Sequence, residues 1–454
     1  MTVIGCGYLG ATHAAAMAEL GHEVVGIDVD ENKVELLNAG TPPFFEPGLE
    51  EILARNRQAG RVRFTTNPRA GADFVNAAVA AGEQPAGVHF LGVGTPQLRD
   101  SYAADVSYVN QAVDALVPLL TGEHIIAGKS TVPVGTAQRL QTRADALVAE
   151  SGNADTHIEI VWNPEFLREG HAVDDTLHPD RIVVGVSHST PVELLRAVYA
   201  APLAEGTPLL TMNLPTAELV KVSANAFLAT KISFINAVSE VCEAAGANVA
   251  QLAEAIGLDE RIGPKFLGAG LGFGGGCLPK DIRAFMARAG ELGVSEALTF
   301  LREVDSINRR RRTHLVDMVR AELGDMRDKR VTVLGCAFKP ESDDIRDSPA
   351  LDVAGKLSLR GAQVTVYDPQ AMDNARATWP TLTYAQSLEE ALTGAEAVVI
   401  GTEWDEFTHM DPQWVGALVS NRLIVDGRGV IDLREWRASG WRVLALGHGE
   451  SESL

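Results

Sequence analysis

The chain has 454 residues, enough for two or three domains, and its 46% hydrophobic and 22% charged residues are ordinary for a globular protein that buries real cores. With 60 acidic against 39 basic residues the formal net charge is -21, and no long basic run offsets it, which disfavours a nucleic-acid partner. Four cysteines (Cys6, Cys242, Cys277, Cys336) lie far apart without paired spacing, so neither a disulfide framework nor a metal site is indicated and a reduced, cytoplasmic setting is expected.

The N-terminus MTVIGCGYLG enters a strand pattern at once, without a basic leader, and no apolar run reaches the roughly 18 residues of a membrane span. TVIG, EVVGIDVD, VRFTT, VHFLGVGTP, HIIAGKST and IEIVWNPE then alternate with alanine-rich amphipathic segments, the pattern of a parallel sheet wrapped by helices. RIVVGV and PLLTM extend it, so residues 1–212 read as one α/β domain. From Thr216 a long helical pattern runs to Gly246, followed by a helix near Gln251–Ile256 and a helical stretch from Ile282 to about Leu323. Residues 213–325 are thus a helical middle, with RRRR at 309–312 most simply a solvated face. At Arg330 the strand–helix alternation resumes, giving a second α/β domain over 326–446 and a polar tail, 447–454, expected to be disordered. The predicted fold class is α/β: two Rossmann-like doubly wound parallel-sheet domains joined by a central long-helix region.

Gly5, Gly7 and Gly10 form G-x-G-x-x-G directly after a strand and at the opening of a helix, where glycines permit a tight turn and backbone approach to a pyrophosphate. Asp28, at the end of the second strand, can accept hydrogen bonds from an adenosine ribose and favours NAD over NADP. GVGTP, KSTVPVG and NPEFLREG fall at the C-terminal ends of strands, where open parallel sheets bind ligands. If NPEFLREG is helical, Glu165 and Glu169 share a face and their repulsion can raise one toward a general base; otherwise they are two solvated carboxylates. Glu218, Lys221 and Asn225 follow i, i+3, i+7 along one helix face, either a solvent stripe or a ligand face.

In GFGGGCLPKD, Pro279 suits the first turn of a helix, which places Cys277 just outside its N-terminus. There the helix dipole and nearby Lys280 favour a nucleophilic thiolate, although a lone cysteine can equally be a small buried hydrophobe. Asp281, four residues on, would set a carboxylate near the thiol.

Taken in order, G-x-G-x-x-G, KSTVPVGT, NPEFLREG, the lysine and asparagine of ELVKVSANAFLATK, RIGPKFLGAGLGFGGGCLPKD, FKPESDDIRDSPA, TEWDEF and DGRGV resemble the UDP-glucose 6-dehydrogenase family of nucleotide-sugar dehydrogenases over nearly the whole chain. The resemblance implies an NAD-dependent four-electron oxidation of UDP-glucose: alcohol to aldehyde, capture of the aldehyde by Cys277, a second oxidation, and hydrolysis of the thioester to a uronate. It implies that Lys221 and Asn225 stabilise oxyanions, that Asp281 and Thr131 hold a water, and that Glu165 is the base in hydrolysis. By the same likeness Tyr8, Leu9, Lys33, Thr95, Thr131, Glu169 and Lys280 join Gly5, Gly7, Gly10 and Asp28 around the cofactor. Glu165, Phe166, Leu167, Lys221, Asn225, Phe266, Gly270, Phe273 and Gly274 would contact substrate, the glycines allowing close backbone approach. A C-terminal UDP-binding domain would add Lys339 and Arg428, and Arg261 would reach a neighbouring subunit's substrate. The family also implies a homodimer built on the long helix, with Phe227, Ile232 and Ile235 as packing residues.

Gly276 stands where many members have serine, Leu278 where many have phenylalanine, and Gly268 where some have a polar residue. The leucine occurs in GDP-mannose dehydrogenases, which leaves GDP-mannose as the alternative substrate. From other classes come a two-electron hydroxyacid dehydrogenase with a structural Cys277 and a catalytically silent nucleotide-sugar sensor.

Overall fold

The computed structural model describes residues 1–153 and 155–448. The chain forms two compact units, Met1–Ala224 with Gly290–Leu292, and Asn225–Ala289 with the chain from Gly293 onward.

The first unit is built on an eight-stranded sheet: β1 (Thr2–Ile4), β2 (Val24–Ile27), β3 (Val62–Thr65), β4 (Gly87–Leu91), β5 (Glu123–Gly128), β6 (His157–Trp162), β7 (Ile182–Gly185) and β8 (Leu209–Met212). Their order is β3-β2-β1-β4-β5-β6-β7-β8, parallel except where β6 meets β7. The inner strands are buried along their length, as expected of a sheet covered on both faces. The order reverses between β1 and β4, and that switch point is where doubly wound sheets open a crevice for ligands. Part of the segment 76–87 continues the helix Pro68–Ala80, and the Asn76 amide bonds the Leu119 carbonyl at 2.9 Å.

The second unit repeats the scheme with six parallel strands, β9 (Arg330–Leu334), β10 (Gln363–Tyr367), β11 (Thr383–Tyr384), β12 (Ala397–Ile400), β13 (Leu423–Asp426) and β14 (Arg442–Ala445), in the order β11-β10-β9-β12-β13-β14. The fold is therefore α/β with two Rossmann-like parallel sheets and a long central helix, Leu214–Ala245.

The stretch expected to be helical from Ile282 to Leu323 divides into the helices Leu278–Glu291 and Phe300–Leu323, because Gly293, at φ 78°, stops the first. The arginine run is a solvated face only in its first half: Arg309 and Arg310 are exposed, whereas Arg311 and Arg312 are buried. Arg311 pairs with Glu243 at 2.8 Å, and Glu243 also accepts from His314 at 2.8 Å and from the Gly447 backbone at 2.7 Å. Burial alone would raise Glu243, but hydrogen bonds from His314 and Arg311 hold it at about 2. Of the polar tail, Gly447 and His448 are ordered, His448 bridging to Asn248; the rest, 449–454, lies outside the described residues. Among the described residues no helix is long and apolar enough to cross a membrane.

Candidate active site

At the switch point of the first sheet the three fingerprint glycines do different work. Gly5 adopts φ 85°, a Cβ at Gly10 would lie 1.7 Å from the Gly5 carbonyl oxygen, and a Cβ at Gly7 would meet nothing within 4 Å. Gly5 thus makes the turn, Gly10 lets the helix Tyr8–Glu19 pack on it, and Gly7 leaves space above the loop. The helix has no side-chain cap, so its first N–H groups suit an anion such as a pyrophosphate. Asp28 accepts from the Cys6 backbone at 2.7 Å and from Asp30 at 3.0 Å, with the Lys33 ammonium 3.4 Å from both carboxylate oxygens. These residues fit a dinucleotide with an adenosine ribose on Asp28. Tyr8 donates to the buried Glu46, which also accepts from Gly170 at 2.7 Å and Ala172 at 2.6 Å. Burial and then Glu46 raise the Tyr8 hydroxyl's pKa. Glu46 was not legible as a site-shaping residue, since Gly170 and Ala172 are more than a hundred positions away from it and even Tyr8 is 38 away.

NPEFLREG is an irregular turn rather than a helix, so Glu165 and Glu169 do not share a helix face. Pro164 disfavours the helical conformation of the residue before it. Glu165 accepts from the Leu167 backbone at 2.6 Å and pairs with Lys221 at 3.1 Å. Phe166 lies beside them, with the Arg181 guanidinium 3.8 Å from its ring centroid and the Lys221 ammonium 5.6 Å from it. Thr95 donates to the Thr131 carbonyl at 2.8 Å, tying GVGTP to KSTVPVG. Glu169 is half-buried and electrostatically close to Tyr8.

The polar stripe on the long helix is buried, not solvated: Glu218, Lys221 and Asn225 are all below a tenth exposed. Glu218 accepts from Gly135 at 2.6 Å and Ala137 at 2.7 Å, fixing the start of the helix Thr136–Ser151; burial raises its pKa against those bonds.

In the second unit Cys277 is exposed and immediately precedes the helix Leu278–Glu291, while Cys6, Cys242 and Cys336 are buried. Asp281, in the first turn, is buried; its carboxylate accepts from Asn225 at 2.7 Å and from Lys280, and its backbone N–H donates to the Cys277 carbonyl at 3.0 Å. The glycines before Cys277 are packed against protein. A Cβ at Gly272 would strike the Asn308 side chain at 2.1 Å, at Gly274 the Asp347 carbonyl at 2.5 Å, at Gly275 the Phe338 ring at 2.9 Å and at Gly276 the Arg346 guanidinium at 2.2 Å. Gly270 donates to Asn236 at 2.9 Å, and the Phe273 carbonyl accepts from Asn308 at 2.9 Å.

Arg428 likewise serves this turn, donating to the carbonyls of Gly401 (2.7 Å), Gly272 (3.0 Å) and Phe338 (3.3 Å). The Lys339 ammonium sits 5.6 Å from the Phe338 ring centroid. Arg261 is exposed and bidentate to Asp259, and Phe266 holds a left-handed φ of 65°.

Family models describing the NAD-binding, central and UDP-binding domains of the UDP-glucose/GDP-mannose dehydrogenases match residues 1–202, 215–310 and 332–433. The chain belongs to the UDP-glucose/GDP-mannose dehydrogenase family. A UDP-glucose 6-dehydrogenase of Rhizobium meliloti is 40% identical over 449 residues, 98% of this chain and 99% of that one. One from Haloferax volcanii is 39% identical over 443 residues, 96% and 98% of the two chains. The solved UDP-glucose dehydrogenase of Pyrobaculum islandicum superposes with a TM-score of 0.86 at 38% identity, covering 97% of each chain. As a member of this family the protein is an NAD-dependent oxidoreductase, and the glycine loop and Asp28 of the first unit are where its residues suit the cofactor.

Proposed function

We propose that the protein oxidises UDP-glucose to UDP-glucuronate in two successive oxidations at the sugar C6, with Cys277 as covalent nucleophile. The observation that carries this is the exposed Cys277 directly ahead of a helix N-terminus, the surroundings that favour thiolate, in a chain 40% identical to a UDP-glucose 6-dehydrogenase. Bound NAD supplies the hydride acceptor for both oxidations. The Cys277 thiolate adds to the C6 aldehyde, and the thiohemiacetal is oxidised to a thioester that water cleaves, releasing the uronate and the thiol. Lys221 and Asn225 stabilise the oxyanions formed at C6, Asp281 and Thr131 order the water, and Glu165 takes its proton. Lys339 and Arg261 contact the nucleotide sugar, while Arg428 shapes the turn before Cys277.

The functional form is a homodimer through the exposed stripe Phe227, Phe234 and Val241, spaced by seven on the long helix. Ile235, by contrast, is fully buried in its own chain's core, and Ile232 packs against the cluster that contains Ala229, Phe273 and Leu301.

The test is NADH formed per sugar consumed, with UDP-glucose and GDP-mannose in parallel and Cys277→Ser beside the wild type. Two NADH per UDP-glucose, stalled in the variant, is the expected result. One NADH with the variant unaffected makes Cys277 structural, and preference for GDP-mannose reassigns the sugar.

A further inference from the structure

Lys129, the first residue of KSTVPVG, is buried directly after β5 in the first unit. Its ammonium lies 3.1 Å from Asn163 Oδ1, 3.3 Å from the Asn163 carbonyl and 3.3 Å from the Tyr199 hydroxyl. All three partners are acceptors toward it. The Asn163 Nδ2 donates to the Val183 carbonyl at 2.8 Å, which turns the amide oxygen to the lysine, and the Tyr199 hydroxyl hydrogen goes to that same oxygen at 2.6 Å. An ammonium has three N–H groups and satisfies all three acceptors. A neutral amine has two, and would set its lone pair against the third.

Asn163 stands two residues before Glu165, so the network anchors the turn that carries the proposed base. We propose that Lys129 is a positioning residue for Glu165: it fixes the 163–167 turn while it carries its proton, and loss of that proton sets the alkaline limb of turnover. This rests on the role given to Glu165 above.

Charged and titratable groups from each neighbouring element bear on it: Glu165 from the turn, Lys221 from the long helix, His13 from the helix Tyr8–Glu19, and Tyr199. Burial, the largest influence, and Lys221 lower Lys129, Glu165 raises it, and the balance lies at about 8. Burial keeps His13 well below its ordinary value and raises the Tyr199 hydroxyl, so both stay neutral across that range.

The experiment compares wild type, Lys129→Arg and Lys129→Met from pH 6.5 to 10 with whichever of UDP-glucose and GDP-mannose the wild type oxidises, so that the choice of sugar can fail separately. The expected result is a wild-type kcat that falls as pH rises through about 8, and an alkaline limb moved up by at least about one pH unit in Lys129→Arg, whose guanidinium stays charged. In Lys129→Met, kcat is lower by about 10- to 100-fold at neutral pH and lacks that limb. Thermal unfolding is an independent readout. Because the folded value lies below the unfolded 10.5, the wild type gains stability relative to Lys129→Met as pH rises from 8 to 10.5, while its turnover falls. An unchanged alkaline limb in both variants, or a stability difference flat with pH, overturns the proposal.

Discussion

The two sheets begin alike and diverge at one carboxylate. In each, the first strand runs into Gly-Cys with the glycine at positive φ, 85° at Gly5 and 113° at Gly335, and the cysteine N–H donates to an aspartate ending the next strand, Asp28 or Asp368. In both places burial raises the cysteine's pKa. Around Asp28 the remaining partners are one backbone N–H and a lysine at 3.4 Å. Asp368 is closed in, accepting from Cys336, Ala337, Gln370, Ala371 and the Trp404 indole at 2.6 to 3.0 Å. The first sheet also sends its helix straight out of the glycine turn, whereas after β9 the helix starts only at Pro349. The same frame therefore leaves Asp28 able to take a further partner and closes Asp368 in, and the saturation of a single aspartate separates the two.

Asp368→Asn should cost about 3 kcal/mol, because the amide nitrogen, on whichever side it lies, then faces two or three N–H donors in a buried site. Asp28→Asn should weaken NAD binding about 10-fold through a lost charged hydrogen bond while changing the unfolding midpoint little. Urea unfolding and NAD titration of both variants check this, and equal losses would mean that the two aspartates do the same job. Five of the six tryptophans, all but Trp162, lie in the second unit, so fluorescence reports mainly on it.

Acid should separate the units next. His13, His89 and His124 in the first are kept below their usual 6.5 by burial, so the unfolded chain takes up protons there first and stability falls as pH drops below 6.5. In the second, Glu243 at about 2 contributes stability lost only as pH falls from 4.5 toward 2. Hydrogen exchange should loosen the first sheet before tryptophan fluorescence changes, and the reverse order would refute the assignment. The smallest effect is that of Trp404→Phe, about 1 kcal/mol for one indole bond, read from the same urea curves.

What the sequence showed plainly was local. The alternation of apolar runs located both sheets, the fingerprint glycines fell on a strand–turn–helix, and Pro279 placed Cys277 before its helix. What it hid was tertiary. Arg311 and Arg312 look solvated until Glu243, some seventy residues earlier, and the carbonyl of Phe273 are seen beside them. Glu165 and Glu169 sit four apart as on a helix, but Pro164 and the Lys221 pair hold an irregular turn. Lys129 has no role legible within KSTVPVG, because its partners Asn163 and Tyr199 come from other strands and helices.

The glycines ahead of Cys277 have a further consequence for anyone exchanging parts between relatives. Their missing side chains are the mould into which Asn308, Phe338, Arg346 and Asp347 are cast. Serine at 276 would demand a different posture of Arg346. Residues 270–277, Asn308 and residues 338–349 therefore form one cassette: moved together they should transplant, and moved singly they should collide.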